Sequence, residues 1–173
     1  MFPVSPFKIV YIMRFLKFFL VLCILVTGCT YSFKGYTSQR IYAVYVGIFR
    51  NTSERAGIET DITRWVSDYF DTDVRIKMVS ENNSEYKIET TVAGYRVEPY
   101  EYNPDGTVLS YRVVLLNYVT IVETASGRKI REDKLISAWG VFSSSEREDE
   151  GLQRAAEDLG MKILQEFLSS VSQ

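Results

Sequence analysis

No histidine occurs anywhere in this sequence. That removes the commonest general base, proton shuttle and metal ligand at once. Cysteine is nearly as scarce. Cys23 lies inside an apolar run near the N-terminus and Cys29 follows soon after, so no disulfide framework is expected. Gly94 and Gly106 are isolated, and no glycine-rich phosphate loop is present. No apolar run reaches the roughly 20 residues that a membrane-spanning helix takes. Positive charge is in short supply too, with 20 Lys and Arg against 22 Asp and Glu. General nucleic-acid binding wants the opposite balance, so no nucleic-acid partner is expected. Carboxylates are plentiful, but Asp61 and Asp68 fall on the polar face of a helical pattern, and Asp71 and Asp73 flank its end. The run Glu146-Arg147-Glu148-Asp149-Glu150 lacks the spaced oxygen ligands and turn glycine of a calcium loop. The chain reads as a non-enzyme, with no catalytic residues, metal or cofactor.

What is present starts at the N-terminus. Lys8, Arg14 and Lys17 are the only charges before Cys29, and the nine-residue apolar run Phe18–Val26 follows them. A basic segment feeding an apolar run of that length is an export signal. Leu25 and Val26-Thr27-Gly28 then lead directly into Cys29. This is a lipobox: the thiol is the nucleophile for diacylglyceryl transfer, and the peptidase needs a small residue at the cut. Residues 1–28 are therefore expected to leave, and Cys29 to be the lipid attachment site. A plain signal peptide is the alternative, and it would strand an unpaired thiol in an oxidising compartment. The segment from Met13 onward is a complete signal by itself, so translation is expected to begin there. Removal of residues 1–28 takes three basic groups and no acidic ones, leaving a net charge of −5. Thr30 is not acidic, so that position lacks the inner-membrane retention signal familiar from enteric bacteria. The expected place is the outer membrane, lipid-anchored on the periplasmic side, with several acyl chains giving the anchorage that one cannot.

Residues 29–40 read as a lipidated tether and residues 41–173 as one domain. Ile41–Phe49 is β-branched and aromatic on both parities, which predicts a central strand. Ile58, Ile62, Trp65, Val66 and Tyr69 recur at helical spacing and predict a helix over about 58–70. Val74–Val79 predicts a second strand. Tyr86–Tyr100, Val108–Glu123 and Lys129–Phe142 predict a meander whose first turn is Asn103-Pro104-Asp105-Gly106. The last helix opens near Glu146 and carries the stripe Leu152, Ala155, Ala156, Leu159, Ile163 and Phe167. The order is β-α-β-β-β-β-α. The expected fold class is α+β, an α/β sandwich with a mainly antiparallel sheet of four to five strands and two helices.

A turn centred on Pro104-Asp105 pairs residues whose numbers sum to 209. Ile88, Val92 and Gly94 then share a face with Leu115, Asn117 and Ile121. Ala93, Tyr95 and Val97 share the other with Val114, Leu116 and Tyr118. Both faces are apolar, while two helices can cover one. Either the helices straddle the sheet, or one face is half-wet, or a partner protein covers Tyr95, Leu116 and Tyr118. Basic residues form a second set. Arg96 and Arg112 come from the first hairpin, and Arg128, Lys129, Arg131 and Lys134 follow the second turn. On an anchored envelope protein such groups are candidate contacts for the phosphates of an anionic lipid. The alternative is ordinary solvated charge.

Several segments together resemble the lipopolysaccharide-assembly lipoprotein family (LptE). They are Cys29-Thr30-Tyr31-Ser32-Phe33-Lys34-Gly35, Val46-Gly47-Ile48-Phe49-Arg50-Asn51-Thr52-Ser53 and Gly57-Ile58-Glu59. Tyr86-Lys87-Ile88-Glu89, Gly106-Thr107-Val108-Leu109-Ser110-Tyr111-Arg112-Val113 and Thr124-Ala125-Ser126-Gly127-Arg128 complete the set. The resemblance implies a small α/β sandwich that plugs and supports an LptD-like outer-membrane β-barrel and helps insert lipopolysaccharide into the outer leaflet. The candidate lipopolysaccharide contacts are then Arg96, Arg112, Arg128, Lys129 and Lys134. The chain departs from the family at Thr30, where glycine is common, and at the hairpin tip, which here reads Asn-Pro-Asp-Gly. The alternative class is an unrelated envelope lipoprotein that binds a soluble ligand or peptidoglycan.

Overall fold

The structure, a computed structural model, describes residues 40–172. The export signal, Met13, Cys29 and residues 29–39 of the tether lie outside the described residues. In chain order the elements are β1 (Tyr42–Val46), β2 (Arg50–Asn51), α1 (Glu59–Asp71), β3 (Ile76–Met78), β4 (Tyr86–Tyr102), β5 (Val108–Glu123), β6 (Lys129–Ser143) and α2 (Glu148–Val171). A single 3-10 turn, Glu81–Asn83, sits between β3 and β4. The fold is α+β, with two helices and a mixed six-stranded sheet of order β3-β1-β4-β5-β6, in which β2 also pairs with β4.

The mixed sheet corrects the antiparallel expectation. Parallel strands need a crossover connection, and the segment carrying α1 supplies one between β1 and β3. Strand β1 runs parallel to β3, with Val44 beside Met78, and parallel to β4, with Val44 beside Tyr86. Only β4, β5 and β6 form the antiparallel meander. The expected strand over residues 41–49 is also split. It stops at Val46, the Gly47 amide donates to Ile88 O at 2.9 Å, and Ile48 is left 78% exposed. Phe49 then turns inward, its amide donating to Thr63 Oγ1 at 2.9 Å, before β2 rejoins the sheet beside Thr91 and Val92.

Both helices lie on one face. On α1, Ile62, Val66 and Phe70 are fully buried at a spacing of four. The whole stripe expected on the last helix is buried, and Gly151, Gly160 and Leu164 join it. Glycines set how closely α2 can approach. A Cβ on Gly140 of β6 would lie 2.3 Å from Gly151 O and 2.4 Å from Ala155 N. Helix and strand therefore meet backbone to backbone at that point. From the sheet, Val44, Ile88, Val92, Leu115, Val119 and Ile121 point into this core and show no more than trace exposure. The hairpin turn forms as its residues require, Gly106 having φ +84° and its amide donating to Asn103 O at 2.9 Å.

Candidate functional site

The face of β4, β5 and β6 away from the helices has no cover among the described residues. Register defines it. From Tyr86–Glu123 to Val92–Asn117 the pairs sum as the sequence predicts, and then Ala93 is inserted as a bulge. Beyond it Gly94 faces Leu116, Tyr95 faces Leu115 and Val97 faces Val113. One extra residue exchanges the two faces of the strand above it.

This moves Tyr95. It lies on the helix side and not on the open face with Leu116 and Tyr118. Its hydroxyl donates to Glu148 Oε1 at the start of α2, and Arg55 Nη1 donates to the same oxygen at 2.6 Å. The Arg55 guanidinium also stands 5.5 Å from the Tyr95 ring centre. Burial, and then the Glu148 carboxylate it binds, push the Tyr95 hydroxyl well above the usual phenol range. Tyr95 therefore ties β4 to α2 and to the loop before α1. Arg96, opposite Val114, takes the place assigned to Tyr95 on the open face, and Gly94, opposite Leu116, takes that of Ala93. A Cβ on Gly94 would meet the Leu116 Cβ and Cδ1 at 3.3 Å, so Leu116 drapes over the bare backbone.

Leu116 and Tyr118 do belong to the open face, where β5 contributes them with Val114. Next to them β6 places Leu135, Ser137 and Trp139, paired with Tyr118, Leu116 and Val114 respectively. Tyr118, Leu135 and Trp139 are 44%, 54% and 45% exposed, a high figure for large apolar side chains that sit side by side. Toward the hairpin tip, the Tyr100 ring lies 6.0 Å from that of Trp139, and the Arg112 guanidinium lies 5.6 Å from the Tyr100 ring centre. The result is one apolar, aromatic strip on the upper half of the face. Leu135, Trp139 and Tyr100 were missed in the sequence. The alternation Leu135-Ser137-Trp139-Val141 was the readable signal, since Ile136, Ala138, Gly140 and Phe142 fill the covered parity.

The lower half of the same face differs. A basin of about 430 Å³ opens between Tyr45 and Tyr118, floored by Lys87, Glu89, Thr91 and Thr120. Arg50 and Lys129 add positive charge at its rim, and Glu81 and Asp133 negative charge. Lys87 is paired with Glu81 at 2.6 Å and Lys129 with Glu132 at 2.5 Å. Hydrogen bonding to Glu132, then its charge, holds the Lys129 ammonium above its ordinary range. Asp133 has φ +44°, and its amide donates to Thr120 Oγ1 at 3.1 Å.

The basic candidates are not brought together. Arg96 and Arg112 stand near the hairpin tip, whereas Arg128 and Lys129 stand at the far end of β5, about 30 Å away along the strand. Arg112 is occupied by Glu98 at 2.6 Å, Arg128 by Glu123 at 3.5 Å and Arg131 by Glu166 at 2.6 Å. Arg96 and Lys134 are exposed and make no ion pair among the described residues. Lys134 falls on the covered parity of β6, opposite Val119.

The LptE family model, described as lipopolysaccharide-assembly, matches residues 42–167. No curated protein matches the chain in sequence. Among solved structures, a protein from Xanthomonas campestris shares the fold with a TM-score of 0.52 at 12% identity, covering 78% of this chain and 88% of its own. A lipoprotein from Neisseria meningitidis scores 0.43 at 9% identity, over 76% and 98% of the two chains. The rare lipoprotein B from Shewanella oneidensis scores 0.43 at 14% identity, over 72% and 96%.

Proposed function

The chain belongs to the LptE lipopolysaccharide-assembly family, and from that premise we propose that it is an outer-membrane lipoprotein seated against an LptD-like β-barrel. In this reading lipid on Cys29 holds it at the periplasmic side. The barrel wall covers the strip formed by Val114, Leu116, Tyr118, Leu135 and Trp139. The domain plugs and supports the barrel, which inserts lipopolysaccharide into the outer leaflet. The family is one of non-enzymatic assembly lipoproteins, and no reaction is assigned to this chain.

The observation that carries the reading is the contrast between a closed helical face and an open aromatic one. Monomeric proteins seldom leave adjacent large apolar side chains half exposed without a partner for them. The basic residues play a smaller part. Arg96 and Lys134 are the candidates free of ion pairs among the described residues, so they are the ones able to meet lipid phosphate without first breaking a pair. Arg112, Arg128 and Lys129 would have to exchange a carboxylate for it.

Two experiments test this. The lipoprotein is drawn from detergent-solubilised outer membrane, and a large β-barrel is expected to come with it. Its absence, with the lipoprotein intact, would overturn the proposal. Labelled palmitate should enter the native chain and not Cys29→Ala. Label in that variant would remove the anchor from the reading.

A further inference from the structure

The two long edges of the sheet are treated differently. Along β6 the free backbone is closed by side chains of α2. Asp158 Oδ2 accepts from the Trp139 amide at 3.0 Å, Lys162 Nζ donates to Ser137 O at 2.9 Å, and Arg154 Nη1 donates to Val141 O at 2.6 Å. Those three bonds satisfy groups that another strand would otherwise seek. The edge beyond β1 is also short, since β3 has only three residues.

Among the described residues no side chain closes the outer backbone of β4 in this way beyond Val92, and its guards are the register irregularities and Pro99, which has no amide proton to offer. The strand runs for 17 residues, yet its outer side pairs with β1 only at Tyr86–Ile88 and with β2 only at Thr91–Val92. The last bond on that side is from the Thr52 amide to Val92 O at 2.9 Å. Among the described residues, the outer side from Gly94 to Tyr102 has no neighbouring strand. Two register irregularities bound the regular part of this edge, one at Ala93 and one around Tyr100. Between them lies Arg96-Val97-Glu98. Arg96 is exposed without an ion pair among the described residues, Glu98 on the same face already holds Arg112, and Val97 is 37% exposed on the other side.

That triplet is complementary to itself when read in reverse. We infer that the free edge of β4 pairs antiparallel with the same edge of a second copy of this chain, about a twofold axis at Val97. Val97 then faces its own counterpart, and Arg96 of each copy faces Glu98 of the other. Opposite charges directly across an antiparallel pair are favourable, and like charges are not. A twofold contact must be self-complementary in this way. The edge is short, so the contact is far smaller than a stable dimer needs and the association is weak and concentration-dependent. The inference does not depend on the barrel reading, because it concerns the free lipoprotein.

The test uses the full lipidated chain, purified without any barrel, carrying Val97→Cys. The parent chain is the blank, since the Cys29 sulfur is a thioether once lipidated and has no thiol to oxidise. Mild oxidation should link two copies at position 97 much faster than two copies of Arg128→Cys, which places a thiol on the opposite end of the domain. In the Val97→Cys background, Arg96→Glu should slow linking several-fold by setting two carboxylates against each other, and Arg96→Lys should not. Equal rates for Val97→Cys and Arg128→Cys would mean random collision in the micelle and would overturn the inference. So would linking that is indifferent to Arg96→Glu, because the register would then be wrong.

Discussion

The two faces of the central hairpin are written in the same strands, and they have different fates. On β5, Val113, Leu115, Val119 and Ile121 are fully buried beneath the helices, while their neighbours Leu116 and Tyr118 point the other way. Both sets are apolar. Hydrophobicity alone therefore does not tell which face is core. The difference lies in what is brought to each: two helices on one side, nothing from the described residues on the other. Exposed apolar patches of this kind mark interaction surfaces in proteins generally.

The sharpest way to break this comparison is to put the same charge on each face. Leu115→Glu should unfold the domain, since a carboxylate would be buried with no partner, at a cost of about 4 kcal/mol or more. Thermal unfolding of the purified variant reads this directly. Leu116→Glu should leave the melting temperature nearly unchanged and should sharply weaken barrel co-purification, by several kcal/mol of lost association. If Leu116→Glu melts as badly as Leu115→Glu, the open face is internal and the partner argument falls.

The closed face can be tested through its closest contact. Gly140→Ala drives a methyl into the backbone of Gly151 and Ala155, atoms that cannot yield as a side-chain tip would. The expected destabilisation is about 2–3 kcal/mol, from α2 being pushed off β6. Gly106→Ala gives the control for a purely conformational loss, because nothing lies within 4 Å of its added Cβ. A melting temperature unchanged by Gly140→Ala would mean that α2 is not seated as described.

The residues that share the covered face were legible in the sequence because period groups them, although period does not say which face is covered. The stripe from Leu152 to Phe167 and the core positions of β5 all follow from spacing, and the 209 register holds as far as Val92. The open face was only half legible, and the reason is one residue. Ala93 is a bulge, so a parity that is right below it is wrong above it, and Tyr95 was placed on the wrong side. A glycine inside a strand is the mark of a bulge or of close approach, and Gly94 is both. The β-α-β order permits the parallel pairing of β1, because the helix can serve as a crossover, but does not require it. Nothing local in the sequence indicates that Gly47 would divide the first strand. That break depends on Phe49 finding the core and Thr63.

The corrected place of Tyr95 yields a smaller test. Tyr95→Phe keeps the ring on the covered side and removes only the hydroxyl bond to Glu148. Stability should fall by about 1.5 kcal/mol, the low end for a half-buried bond to a charged acceptor, and barrel co-purification should be unchanged. Loss of co-purification with unchanged melting would return Tyr95 to the partner face.

The least expected effect concerns how the end of β6 is held to α2. Glu146 Oε2 accepts from the Ser143 amide at 2.6 Å, and Glu146 Oε1 accepts from Arg154 Nη2 at 2.8 Å. Arg154 hydrogen bonding first, and the Ser143 amide after it, pull the Glu146 carboxyl down to about 2. A carboxyl lowered in the folded state contributes stability above its unfolded value of 4.5, and that contribution disappears as pH falls from there toward 2. The group is exposed, so solvent and salt screen it, and the effect is small. Glu146→Gln keeps the hydrogen-bonding shape and removes the charge. Its melting temperature should lie slightly below that of the parent at neutral pH, and the two should converge as pH approaches 2. Added salt should narrow the gap at neutral pH. Barrel co-purification should not change, because Arg154 and Glu146 serve the covered side. A gap that stays constant from neutral pH to pH 2 would mean that the carboxylate charge contributes nothing and that the link between β6 and α2 is made by backbone and packing alone.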